Sequence, residues 1–239
     1  MGPREAEAGR GVGGRGLTRG QFTTQGEVNA IYRRRARFYD WSANAYYLIG
    51  FREWAYRRRA VEALQLRRAG TVVEIGCGTG LNFPLLQHQI GPTGRLIGVD
   101  PSAEMLDQAR RRVATRGWNN VELIQARAAD FDFPADVDAV FSTFALTLEP
   151  LFDEVITKAA GAITPGGRFV LLDLRMPESW LRHLGPVLIL LVRPFAGSLE
   201  VARRQPWKSL QRHFSQYNYW EGYFGVVYIA VGQRAESLT

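Results

Sequence analysis

The residues best equipped for chemistry sit in one short run, Glu74-Ile75-Gly76-Cys77-Gly78-Thr79-Gly80. A carboxylate followed by glycines at alternate positions gives a backbone that turns tightly and approaches a ligand that a Cβ would push away. A dinucleotide fingerprint, Gly-x-Gly-x-x-Gly, requires glycine where Leu81 stands, because Gly80 comes one place early. No Lys and Ser/Thr pair follows, so the run is not an ATP-gripping P-loop either. Asp100, at the end of the next apolar run, is where a carboxylate can accept hydrogen bonds from both hydroxyls of a ribose. Cys77 has no histidine near it in sequence and reads as a wall residue rather than a nucleophile. The three histidines, His88, His183 and His213, lack metal-ligand spacing, and no metal is expected. His88 reads as structural, whereas His183 and His213 fall in an irregular stretch and are candidates for the substrate side.

These residues must be positioned by strands that end in turns. Thr71-Val72-Val73-Glu74-Ile75 is a β-branched run stopped by Gly76, and Gly94 to Asp100 is the next strand. Ser102 is placed to cap a helix with Met105, Leu106, Ala109 and Val113 on its apolar face. Val121 to Gln125, Val137 to Phe141 and Arg168 to Asp173 are further strands, the last two separated by a helix from about Leu151 to Ala162. Tyr217 to Trp220 and Gly225 to Gly232 read as two final strands around a turn near Glu221-Gly222. Short apolar strands alternating with helices predict a mainly parallel sheet covered on both faces. In such sheets ligands bind beyond the carboxyl ends of the strands, which is where the glycine run falls.

At 239 residues the chain fits one domain with its own core. Residues 1–25, rich in glycine and arginine with little to bury, read as a flexible tail. Residues 26–68 form a helical cap in which Phe51, Trp54, Val61 and Leu64 share one side of a helical period and arginines lie largely opposite. The cofactor-binding core is 71–173, the irregular insertion 174–213 covers the substrate, and the C-terminal strands occupy 214–234. A single cysteine and the absence of an apolar leader lead us to expect a reducing, cytoplasmic setting. The longest apolar stretch, Gly185 to Val192, is too short to span a bilayer. The formal charge of +7 favours anionic partners such as phosphates, acidic lipid or nucleic acid without choosing among them.

Together these residues resemble the class I S-adenosylmethionine-dependent methyltransferases, and the likeness covers about Val61 to Asp173. The resemblance implies a three-layer Rossmann-like α/β sandwich with a mostly parallel seven-stranded sheet, an antiparallel C-terminal strand and a helical N-terminal cap. It implies S-adenosylmethionine as cofactor, with Glu74 orienting its amino-acid end and Gly76, Cys77, Gly78 and Gly80 lining its path. Asp100 then matches the ribose-binding acid, with Pro101 and Met105 following it into the site. Ala129, Asp130 and Phe131 match the adenine segment, with Asp130 as partner of the exocyclic amine. Ser142, Thr143 and Phe144 match the residues packed near the methionine moiety and the sulfonium.

For the acceptor the likeness is shorter. Tyr32, Tyr39 and Asp40 resemble the N-terminal Tyr-Asp segment of the branch that contains quinone-ring and phospholipid N-methyltransferases. That implies Tyr39 near the transferred methyl as the catalytic candidate and Tyr32 beside the substrate. No His-Asp or Glu pair suggests a strong base, which favours an amine over a ring carbon. Trp180 to Phe195 is an apolar patch bracketed by arginines, suited to peripheral contact with an anionic membrane at the inner face of the cell membrane. A small-molecule or lipid substrate is therefore expected, the head-group amine of a phospholipid such as phosphatidylethanolamine first. C-methylation of a prenylated quinone precursor and N- or O-methylation of a soluble metabolite are alternatives, as is a non-enzymatic membrane-surface module. Nucleic acid is not favoured, because Ser142-Thr143-Phe144-Ala145 stands where many amino-methylating nucleic-acid enzymes carry Asn-Pro-Pro-Tyr. Monomer and dimer both remain open.

Overall fold

The computed structural model describes residues 52–175, 201 and 203–236. The β-branched and glycine-bounded runs form seven strands: β1 (Thr71–Ile75), β2 (Arg95–Asp100), β3 (Val121–Gln125), β4 (Val137–Thr143), β5 (Ile163–Leu174), β6 (Gln216–Gly222) and β7 (Val227–Gln233). They lie in one sheet in the order β3-β2-β1-β4-β5-β7-β6. The first five pair in parallel, and β7 runs antiparallel to both its neighbours. The chain runs outward from β1 through β2 to β3, returns past β1 to β4 and continues to β5, so strand order reverses between β1 and β4, and a crevice opens at their carboxyl ends.

Among the described residues five α-helices cover the faces: α1 (Glu53–Ala63), α2 (Phe83–Ile90), α3 (Ala103–Arg116), α4 (Phe152–Ala162) and α5 (Pro206–His213). One face buries Val72, Leu96, Phe141, Val170 and Leu172 under Val61 and Leu64 of α1, Phe83, Leu86 and Ile90 of α2, and Leu106 and Ala109 of α3. The other buries Val73, Val99, Val140, Phe169 and Leu171 under Val155, Ile156 and Ala159 of α4 and Trp207 and Leu210 of α5. Each such side chain taken wholly from water is worth about 1.5–3 kcal/mol, so the two layers fix the sheet's orientation toward its helices.

Several expectations are met closely. Thr71–Ile75 and Val121–Gln125 have the expected ends, and the Ser102 side chain accepts from Met105 N to cap α3. Others shift. β5 begins at Ile163 rather than Arg168, because Pro165-Gly166-Gly167 makes a bulge inside the strand instead of preceding it. The end of the expected substrate cover becomes α5, whose Trp207 and Leu210 lie in the core layer. In α1 the expected division holds for Val61 and Leu64, while Trp54 is half-buried and Arg57, placed with the solvated arginines, is 3% exposed. The tail at 1–25, most of the cap and most of the insertion lie outside the described residues.

Candidate active site

The carboxyl edge of the sheet carries an open cleft lined by the turn after β1, the end of β2 and the segments after β3 and β4. Its floor is the turn after β1. Gly76 N and Cys77 N both donate to Val99 O, folding the turn over the end of β2. Gly76 has φ +68°, and a Cβ there would lie 2.2 Å from the Ala145 Cβ, so the backbone itself requires glycine. Gly78, at φ +54°, differs: a Cβ would meet nothing within 4 Å and would project into open space. From α3, Arg112 Nε donates to Thr79 O and braces the turn from behind.

At one end of the cleft lies a buried polar network that only the tertiary fold assembles. Glu74, on β1, is fully buried, and its Oε1 accepts from Asn82 Nδ2 at 2.5 Å. Asn82 occupies the N-cap position of α2 without capping it, and donates also to Thr143 Oγ1 at 2.9 Å. Arg57 reaches in from α1, its Nη1 donating to Asn82 Oδ1 and Thr143 Oγ1, each at 2.9 Å. Glu53, one helical turn away, pairs with the guanidinium at 2.7 Å. The Arg57 guanidinium also lies 5.2 Å from the centre of the Phe144 ring. Glu74 Oε2, by contrast, is buried without a partner. Burial pushes the Glu74 carboxyl up to about 8, opposed by the Asn82 hydrogen bond and the charge of Arg57. The network thus satisfies one oxygen of this carboxyl and leaves the other without a donor.

Midway along the cleft stands Asp100, 8% exposed. Its Oδ2 accepts from Gly78 N and its Oδ1 from Ser102 N, both at 2.9 Å, so the carboxylate is clamped by backbone while its remaining lone pairs are available to hydroxyl donors. Burial raises its pKa, opposed by those two hydrogen bonds. Cys77 lines the wall; burial pushes its thiol well up, which suits a wall residue rather than a thiolate nucleophile. Pro101 and Met105 follow, and Ala126, Ala128, Leu148 and Glu149 close the far end.

The expected site residues therefore divide. Gly76, Cys77, Gly78, Asp100, Pro101, Met105, Thr143 and Phe144 line the cleft. Glu74 stands behind the wall through Asn82, and Ser142 is fully buried on β4. Gly80 holds the turn, where a Cβ would lie 2.6 Å from the Phe83 ring. After β3 the phase differs by one residue from expectation: Ala128 faces the cleft while Ala129 and Phe131 join the core. Asp130 ends a 3-10 turn and is exposed, outside the cleft walls. His213 is exposed at the end of α5, its ring nitrogen 3.2 Å from Thr157 Oγ1, and also stands outside the walls. Tyr32, Tyr39 and His183 lie outside the described residues.

Arg57 and Glu149, which line the cleft, and Asn82, buried behind its wall, are residues that sequence reasoning passes over. The signals were faint: an i, i+4 Glu-Arg pair on an amphipathic helix, and an asparagine just beyond the glycine turn.

Comparison with known proteins adds relatives to this geometry. Residues 72–167 match the sequence profile of a family described as Methyltransferase domain. A phosphatidylethanolamine N-methyltransferase of Cereibacter sphaeroides is 34% identical over 151 residues, covering 62% of this chain and 69% of that protein. A demethylmenaquinone methyltransferase of Listeria monocytogenes is 27% identical over 158 residues, which is 65% of this chain and 65% of that protein, just under two thirds of its length. Among solved structures, a SAM dependent methyltransferase from Aquifex aeolicus shares the fold with a TM-score of 0.57 at 16% identity, covering 74% of this chain and 88% of that one.

Proposed function

We propose that this chain, which belongs to the class I S-adenosylmethionine-dependent methyltransferases, methylates the head-group amine of a phospholipid such as phosphatidylethanolamine. Its cofactor, S-adenosylmethionine, supplies an electrophilic methyl on a sulfonium to a small-molecule acceptor. The residues present fit that cofactor. Glu74 Oε2, buried and unpartnered, suits the ammonium of the amino-acid end, and Arg57 offers positive charge beside it for the carboxylate. Asp100 suits the two ribose hydroxyls, and the open space at Gly78 leaves room for the chain between them. Gly76, Cys77, Pro101, Met105, Thr143 and Phe144 would wall it.

An amine attacks only when neutral, so orientation in line with the sulfonium and exclusion of water supply most of what such a transfer needs. The cleft suits that requirement better than it suits ring-carbon chemistry. Among the described residues only two carboxylates line it, and Asp100 is clamped while Glu149 stands at the end far from Phe144. We assign the acceptor side to Tyr32, Tyr39 and His183, with Tyr39 nearest the methyl, and leave His213 out because its ring faces Thr157.

The observation that carries the lipid reading is the phosphatidylethanolamine relative at 34% identity. A surface feature supports it. The turn between β6 and β7 lies on the same edge of the sheet as the cleft, and Phe224 at its tip is 78% exposed. Tyr56 of α1 packs near Trp220 of β6, and Arg59 lies 3.9 Å from the Trp220 ring centre. Arg52, Arg58 and Arg59 of the same region are exposed. An exposed aromatic and exposed arginines on this edge support the proposed peripheral, cytoplasmic position at the inner face of the cell membrane. Among the described residues no helix is long and apolar enough to cross a membrane.

Transfer of labelled methyl from S-adenosylmethionine into a total cell extract, followed by phase separation, tests the reading. Label in a phosphate-containing amine lipid is the expected result. Label in a neutral isoprenoid would favour the quinone reading, which the demethylmenaquinone relatives support, and label confined to the aqueous phase would overturn both.

A further inference from the structure

The far end of the cleft has no acceptor where one was expected. Asp130 is exposed and off the walls, Ala129 is in the core, and Ala126, Ala128, Leu146 and Leu148 offer apolar side chains. The one charged side chain lining that end is Glu149, 6% exposed. A buried carboxylate in an apolar wall is costly unless held, and this one is held on one side only. Its Oε1 accepts from Arg127 Nη2 at 3.0 Å and from Leu151 N at 3.2 Å. Among the described residues nothing donates to Oε2. Arg127, 37% exposed at its side chain, stands outside the walls and acts on the cleft through Glu149.

We propose that Glu149 reads the base of the cofactor, its Oε2 accepting a hydrogen bond from the exocyclic amine of adenine while Arg127 and the Leu151 amide fix the carboxylate. This rests on the cofactor reading above and adds a specificity residue to it. The chemistry makes a sharp demand on the ligand. An amino purine presents a donor to Glu149, whereas a 6-oxo purine presents a carbonyl oxygen, setting acceptor against acceptor at a carboxylate that is only 6% exposed. Arg127 is a positioning residue, since it reaches the ligand only through the carboxylate it holds.

Calorimetric titration with S-adenosylhomocysteine and with its deaminated counterpart, S-inosylhomocysteine, tests this without relying on turnover. Wild type should prefer the adenosyl compound by about 100-fold. Glu149→Gln should cut that preference by about tenfold or more, because the amide can turn its NH2 toward the carbonyl. Glu149→Asp, which keeps the charge but withdraws it, should weaken the adenosyl compound by about tenfold without gaining the inosyl one. Asp130→Asn should leave the preference unchanged. An unchanged preference in both Glu149 variants, or its loss in Asp130→Asn, would overturn the assignment. Binding of neither compound by wild type would overturn the cofactor reading, and the assignment with it.

Discussion

Two buried carboxylates stand near the carboxyl edge of the sheet, on opposite faces and in opposite conditions. Glu74, at the end of β1, has one oxygen satisfied by Asn82 and the other orphaned. Asp173, near the end of β5, has both oxygens engaged: Oδ2 accepts from Thr147 N and Thr147 Oγ1, at 3.1 and 2.7 Å, and Oδ1 accepts from Leu174 N at 2.8 Å. Burial raises both, to about 8 for Glu74 and only about 6 for Asp173, where hydrogen bonds from Thr147 and Leu174 hold the charge. Burial alone therefore does not mark a functional acid; incomplete satisfaction does. Glu74 keeps one oxygen without a donor, which is why we propose it for a ligand cation, whereas Asp173 is a clamp that pins the loop after β4, whose Leu146, Leu148 and Glu149 wall the cleft.

The contrast can be broken most severely at the turn between these regions. Gly76→Val drives a side chain into Ala145 from a backbone at φ +68°, and should cost about 4 kcal/mol or more of stability by urea unfolding. Asp100→Ala acts on the ligand and also releases the Gly78 and Ser102 amides that the carboxylate holds. It should weaken cofactor binding by about 2–4 kcal/mol, read by calorimetry, because it removes a desolvated two-oxygen contact. Glu74→Gln sharpens the comparison through pH. A carboxyl raised in the folded state contributes stability that is full below its unfolded pKa and is lost as pH rises through the folded one. The ligand-free wild type should therefore lose stability between about pH 5 and 8, by on the order of a few kcal/mol, while the variant should not. The same variant should bind the cofactor about tenfold more weakly. The smallest effect belongs to the clamp: Thr147→Val should cost about 1–2 kcal/mol of stability and weaken cofactor binding less than Asp100→Ala does, because Thr147 N still donates to Asp173 Oδ2.

What was legible in the sequence follows the same division. Short-range signals located several elements: a β-branched run ending at Gly76 located β1, the short apolar run Val121 to Gln125 located β3, and a serine before an apolar period located the cap of α3. The polar network escaped because its members come from four separate elements. Arg57 looks like its solvated neighbours until α1 is laid on the sheet and the guanidinium meets Asn82 and Thr143. After β3 the exchange of Ala129 for Ala128 at the wall is a one-residue phase set by a 3-10 turn, which no strand pattern encodes. Glu149 sits in an irregular turn, where its role depends on Arg127 arriving from another strand end.

The most direct test of the account is titration of S-adenosylhomocysteine into wild type and Gly78→Val. A Cβ at Gly78 meets no protein atom within 4 Å, so although φ +54° strains any side chain there, the added bulk itself projects toward the ligand rather than into the chain. The account predicts saturable one-site binding by wild type and none by a variant whose circular dichroism remains native. Equal binding by the two proteins would contradict it.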